Sequence, residues 1–314
     1  MERNVGILKY AGSVIAITTA LSALDGTAFG QNPAIPDLSG QWSHSNLNLE
    51  QPATGPKIMT NTLVGKDGTI DDNAGRLTDY KSPLLTPLAS GIAKAHGEYT
   101  MTGMSLPDPH NQCWPEAPPF AESIQIQFMM VQRPDEVLVI YSNDQRVRHI
   151  PLNVPHRNPL VPTYAGDSIG HYEGDTLVVD TVGIKPSRWP VVDRYGTPHS
   201  DALHVVERFR LVDGKASIDA MAAHRRLFTK APIPKFDAYG GALDLNPNNK
   251  GLQVSMTVDD PKMYTQPWNA LVTYRPETNW PEMVCADPPS LSNTTLLDLG
   301  AGPREVPVAN KPDF

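Results

Sequence analysis

Between Ile124 and Tyr274 the chain alternates apolar and polar positions in short runs, and the runs are separated by turn-forming residues. Ile124–Val131, Val137–Tyr141 and Arg146–Ile150 read as three strands joined by RPDE and SNDQ. Ser168–Tyr172 and Thr176–Val182 flank the turn Glu173-Gly174-Asp175. Leu203–Val212 is the longest β-branched run. The Asp213-Gly214 pair after it predicts a hairpin into Ala216–Ala223. Leu252–Val258 and Ala270–Tyr274 close the series, and Pro36–Trp42 (PDLSGQW) opens an earlier strand. One helix is predicted, with Thr86 as cap, Pro87 in the first turn and a stripe of Leu88, Ile92 and Ala95 reaching about Tyr99. Closely spaced strands without βαβ alternation predict an all-β antiparallel meander, sandwich or barrel.

Composition sharpens this picture. Prolines number 31 in 314 residues, against a usual ~5%, which disfavours long helices and favours strands joined by fixed loops. Residues 1–30 read as an export signal. Arg3 and Lys9 form a basic start, Tyr10–Leu24 is an apolar run too short to span a bilayer, and Ala28-Phe29-Gly30 resembles a cleavage site before Gln31. The expected location is periplasmic or secreted, with 31–314 as one domain and 289–314 as an extended tail. No later stretch is apolar and long enough for a membrane span. A net charge of −8 without a basic stripe argues against nucleic acid. The two cysteines, Cys113 and Cys285, lie in loop-like sequence. In an exported chain they are expected to form a disulfide.

The densest ionisable stretch lies between the two strongest strands and holds Asp193, His199, Asp201 and His204. On an extended chain His199 and Asp201 point the same way, and a carboxylate beside an imidazole orients it and raises its basicity. His204 shares a strand face with Val206 and Arg208, while Glu207 shares the other with Val205 and Phe209. Which face is inward stays open at this level. Three readings compete. In one, His199 or His204 is a general acid/base with Asp201 as orienter and Arg208 holding an anionic or oxyanionic group. In another, His199, Asp201 and His204, with His156, bind a metal. In the third, the residues form a structural hydrogen-bond network. Arg146, Arg148 and His149 read as a solvated strand face, with the alternative that the basic pair meets a carboxylate. No Gly-x-Ser-x-Gly elbow and no glycine-rich phosphate loop occurs.

The strings GHYEGDTLVVDTVG, PHSDALHVVERFR, TVDDPKMYTQPW and MVCADP resemble a widespread, mostly uncharacterised family of exported bacterial proteins, over most of Pro36–Pro288. The resemblance implies a lipocalin-like (calycin-type) β-barrel with one peripheral helix and long loops. Gly40-Gln41-Trp42 at the first strand is similar to the barrel-closing motif of such folds. The resemblance carries Asp180, Trp189, His199, Asp201, His204, Glu207, Arg208, Asp259, Asp260, Tyr264, Trp268 and both cysteines, and it places His156 in a recurrent histidine position. WPEAPP after Cys113 and an apparent insertion at Arg225–Lys250 depart from the family pattern. Together these readings predict a cofactor-independent lyase, dehydratase, isomerase or cyclase acting on a small hydrophobic aromatic or terpenoid-like compound in the barrel. His199, Asp201, His204 and Arg208 are the expected catalytic residues. His156, Asp180, Trp189, Glu207, Tyr264 and Trp268 are expected to bind substrate. The alternative is a non-catalytic carrier of such a ligand.

Overall fold

The computed structural model describes residues 35–280 except 46, 53, 57–63, 71–76, 125 and 238–239. The expected export segment, Cys285 (and with it the Cys113–Cys285 pairing) and the 289–314 tail lie outside the described residues. Nine strands form one all-antiparallel sheet. They are β1 (Gly40–Ser43), β2 (Gln127–Gln132), β3 (Glu136–Tyr141), β4 (Val147–Pro151), β5 (Asp167–Glu173), β6 (Thr176–Val182), β7 (His204–Val212), β8 (Gly251–Asp259) and β9 (Trp268–Pro276). Their spatial order is β4-β3-β2-β1-β9-β8-β7-β6-β5, so two meanders meet where β1 pairs with β9. The outermost strands approach each other at one end. Leu152, just past β4, forms a parallel bridge with Gly170 of β5, and the Asn153 N–H donates to the Gly170 carbonyl at 2.8 Å. A Cβ at Gly170 would stand 2.9 Å from Ile150, so only glycine admits this approach.

One face of the sheet is the core. Period-two alternation puts Trp42, Phe128, Tyr141, Leu177, Phe209 and Tyr274 on it, all nearly or fully buried. Its aromatics meet edge to face, with Phe128 4.8 Å from Tyr274 and Tyr264 5.7 Å from Trp268 between ring centroids.

The predicted helix forms as α1 (Pro87–Met101). Thr86 caps it by accepting from the Ala89 N–H, and Ala89 and Ala93 are buried in the core. It is not the single helix expected. Phe120–Ile124 forms a short α2, where a strand was expected to begin at Ile124. Gly214–Arg225 forms α3, where a hairpin and strand were expected at Ala216–Ala223. The Asp213 carboxylate accepts from the Ala216 N–H at 2.9 Å, so this Asp-Gly pair starts a helix instead of turning a hairpin. The alanine-rich ASIDAMAAHR that follows has high helix propensity.

The Arg225–Lys250 stretch lies against the outer face of the sheet. The Arg275 guanidinium, on the face opposite Tyr274, donates to the carbonyls of Asp244, Asn246 and Asn249 and to Ser217 Oγ of α3. Asp237 accepts from Ser43 Oγ and Gln127 Nε2, both at 2.6 Å.

Candidate functional site

Strand alternation settles the face left open by the sequence. On β7, Val205, Glu207 and Phe209 are buried inward, while His204, Val206, Arg208 and Arg210 face out. On β6, Leu177, Val179 and Thr181 go inward and Asp180 outward. Asp180 pairs with Val206, so its carboxylate reaches diagonally to His204. Asp180 Oδ1 lies 3.0 Å from His204 Nε2 and 3.2 Å from His156 Nε2. His156, in the connection after β4, also meets Asp167 Oδ2 through Nδ1 at 3.0 Å. Asp167, at the start of β5, is held in turn by Arg157 Nε at 3.1 Å. With carboxylates at both ring nitrogens, His156 makes both hydrogen bonds at once only as the doubly protonated ring. His204 donates Nε2–H to Asp180, and its Nδ1 has no hydrogen-bond partner among the described residues. The His204 and Asp180 side chains are 41% and 36% exposed, open enough to meet a solute.

The other expected site residues go elsewhere. The 200–202 segment is a turn and not an extended chain, because the Asp260 carboxylate accepts from Ser200 N at 2.6 Å and Ser200 Oγ at 2.8 Å. Asp201 therefore does not orient His199. It is exposed and takes Lys262 Nζ at 2.5 Å, and that hydrogen bond and charge hold its pKa below the usual aspartate range. The orienting carboxylate of the cluster is Asp180. His199 is buried, and burial pushes its pKa down. Its Nδ1 donates to the Ser200 carbonyl at 2.9 Å, which leaves Nε2 as the acceptor. With Phe120, Tyr164, Ile184, Val191 and Leu203 it lines a cleft of ≈ 20 Å³, room for a single water. Trp189 packs beside Leu106, Phe120, Ile124 and Val191 and lies 5.6 Å from His96. Tyr264 donates to the Pro198 carbonyl at 2.8 Å and, like Trp268, is core.

Glu207 belongs to an interior network that sequence reasoning missed. Arg148 of β4, read as a solvated position, is buried and crosses to the far side of the core. Its Nη1 donates to Glu207 Oε1 at 3.0 Å and to Glu122 Oε1 at 3.4 Å. Its Nη2 donates to Glu207 Oε2 and to Thr181 Oγ1, and its Nε donates to Ser168 Oγ. Tyr141 donates to Glu122 Oε1 at 3.0 Å. Burial first, then the Glu207 charge, push the Glu122 pKa up to about 8, against the opposing pull of Arg148. The missed signal was period two, since Arg148 shares its strand face with Ile150, which is fully buried.

Among the described residues no three His, Cys, Asp or Glu side chains are placed to hold a metal ion together. His199, Asp201 and His204 turn to three separate partners. No helix among the described residues is long and apolar enough to cross a membrane. No family model matches the chain, and no curated protein or solved structure is similar to it.

Proposed function

We propose that the protein is a cofactor-independent acid/base enzyme of the lyase, dehydratase or isomerase type, with His204 as the proton-transfer group. The observation that carries this reading is the half-exposed His156–Asp180–His204 cluster. One carboxylate oxygen holds two imidazoles, and His204 Nδ1 has no partner among the described residues. Asp180 fixes the ring of His204 by accepting Nε2–H and stabilises the imidazolium that forms when Nδ1 takes a proton from a substrate carbon. His156, tied between Asp167 and Asp180, holds Asp180 in place. Returning the proton at another atom completes an isomerisation. Losing a β-substituent from the carbanion instead gives a lyase or dehydratase.

The scaffold reading that goes with this is a lipocalin-like barrel. It is supported by the Leu152–Gly170 bridge between the outermost strands and by Arg148 reaching across from β4 to Ser168 on β5 and Thr181 on β6. In this reading the chemistry sits on the outer face, because the inner face of β7 is occupied by Val205, Glu207 and Phe209.

The test is a turnover screen of aromatic and terpenoid-like carbonyl and hydroxyl compounds, run on wild type, His204→Ala and Asp180→Asn. The reading requires proton exchange or elimination by wild type and its loss in both variants. Binding without turnover by wild type would make the protein a carrier.

A further inference from the structure

Beyond the histidine cluster, the outer face of the sheet carries a second set of polar groups that the acid/base chemistry does not use. The β7 outer face reads His204, Val206, Arg208, Arg210. At about 3.3 Å per residue, Arg208 lies ~13 Å along the strand from His204, and Arg210 ~7 Å further. The register sets Ser255 beside Arg208 and Gln253 beside Arg210 on β8, and Val178 beside Arg208 on β6. Thr176, Arg208, Arg210, Gln253 and Ser255 line a groove of ≈ 310 Å³, within the size range of small-molecule sites. Two guanidiniums side by side on one face repel each other, and in a chain of net charge −8 carboxylates to compensate them are plentiful. Yet among the described residues only Glu173 approaches. Its Oε2 is 3.6 Å from Arg208 Nη2, while its Oε1 is engaged by His171 Nε2 at 3.1 Å. Arg210 has no ion-pair partner among the described residues. Between this pair and His204 the same face presents Val206 on β7, flanked in register by Asp180 on β6 and Thr257 on β8.

We infer that this groove is the anion subsite of the proposed acid/base site, holding the carboxylate of an organic acid whose apolar body lies over Val206 and whose far end reaches His204. The inference takes its functional meaning from the acid/base reading of His204, but binding at the groove is testable without it. Planar guanidinium forks match a carboxylate two bonds at a time, and the Ser255 hydroxyl offers a further donor to it. A cationic end beside the Val206 side chain selects an organic acid over its neutral counterparts.

The experiment is titration of the full chain with 2-naphthoate, 2-naphthamide and inorganic phosphate, followed by NMR of the Arg Nε–H and histidine ring resonances. Naphthoate is expected to bind, to shift arginine resonances that Arg208→Gln and Arg210→Gln remove, and to shift the His204 ring. Naphthamide should bind at least tenfold more weakly, and each Gln variant should weaken naphthoate about tenfold. Glu173→Gln, which removes the competing carboxylate, should strengthen it. Equal affinity for naphthoate and naphthamide would overturn the subsite. So would phosphate binding as well as naphthoate while the His204 ring stays unmoved, since that marks a generic anion patch. If naphthoate binds as expected but His204→Ala leaves every turnover unchanged, the subsite stands and the acid/base reading falls.

Discussion

Strands β6 and β7 carry two polar clusters back to back, and neighbouring residues belong to opposite ones. Thr181 and Glu207 face inward to Arg148, whereas Asp180, His204 and Arg208 face outward to His156, solvent and the groove. Inside, each guanidinium nitrogen of Arg148 meets an acceptor, and water is excluded. Outside, His204 Nδ1 and Arg210 have no partners among the described residues. A desolvated network with its donors spent acts on stability, because breaking it strands a charge in low dielectric. A solvated cluster with groups held in reserve contributes little to stability and is available to a solute. The two are separated by one residue of register, so single substitutions on one strand distinguish them.

The largest effect is expected inside. Arg148→Met keeps the length of the side chain but leaves Glu122 and Glu207 facing each other without a cation. The loss in unfolding free energy should be about 3–5 kcal/mol, the scale for removing one partner of a buried ion pair. Urea denaturation measures it directly, and a loss below ~1 kcal/mol would mean that the network is not holding the core.

The pH dependence of stability comes next. Glu122 and Glu277 both have pKa values raised to about 8, Glu122 by burial and then Glu207, Glu277 by burial and then Asp237. Between the unfolded carboxyl pKa of ~4.5 and the folded value, the folded state holds protons that the unfolded state has released, so stability falls as pH rises through that window. Below pH 6.5 His224 opposes this. Burial and then His44 depress its pKa to about 4, and the unfolded chain binds that proton first. His199 acts in the same direction. From pH 6.5 to 8 the acids act alone, so stability should decline by about 1.4 kcal/mol per pH unit for each proton involved and level off above 8. Glu122→Gln, which cannot titrate, should flatten the decline by one proton. A profile flat from 6.5 to 8 would place both carboxyls outside the core electrostatics.

On the outer face the pattern reverses. His204→Ala and Asp180→Asn should each lower turnover of a substrate found by screening about a hundredfold, the usual scale for a positioned proton donor or acceptor. Stability should change by less than ~1 kcal/mol, since both side chains are half exposed. Melting and turnover measured on the same preparations break the comparison if His204→Ala melts far lower yet turns over normally.

The strands were legible because each is a short alternating run between turn residues. Thr176–Val182 falls on β6 residue for residue, and the other eight strands predicted between Pro36 and Tyr274, Ala216–Ala223 apart, overlap those observed. The failures have local causes. Asp213-Gly214 suits both a hairpin and a helix cap, and the alanines after it decide for the helix. The chemistry was half legible. His156, Asp180 and His204 were each singled out, but they stand 24 residues apart in sequence, and only strand register brings them to one oxygen. Arg148 was misread because charge was weighed above its shared face with Ile150. Glu122 carries no pattern at all in its short helix, and its role appears only with Arg148 beside it.

The smallest effect is the sharpest test of that correction. From sequence spacing, Asp201 is the carboxylate that orients the site histidine. In the structure it turns to solvent and pairs with Lys262, which also lies on the surface. Exposed ion pairs of this kind are screened and loosely held, so Asp201→Asn should leave melting temperature and turnover unchanged. Asp180→Asn should abolish most of the turnover, because Asn in place of the carboxylate cannot stabilise the imidazolium that His204 becomes. Measured side by side, the two substitutions remove the same charge from residues 21 positions apart. Equal losses in both would show that the orienting carboxylate is not fixed by the β6–β7 register, and the outer-face site would have to be given up.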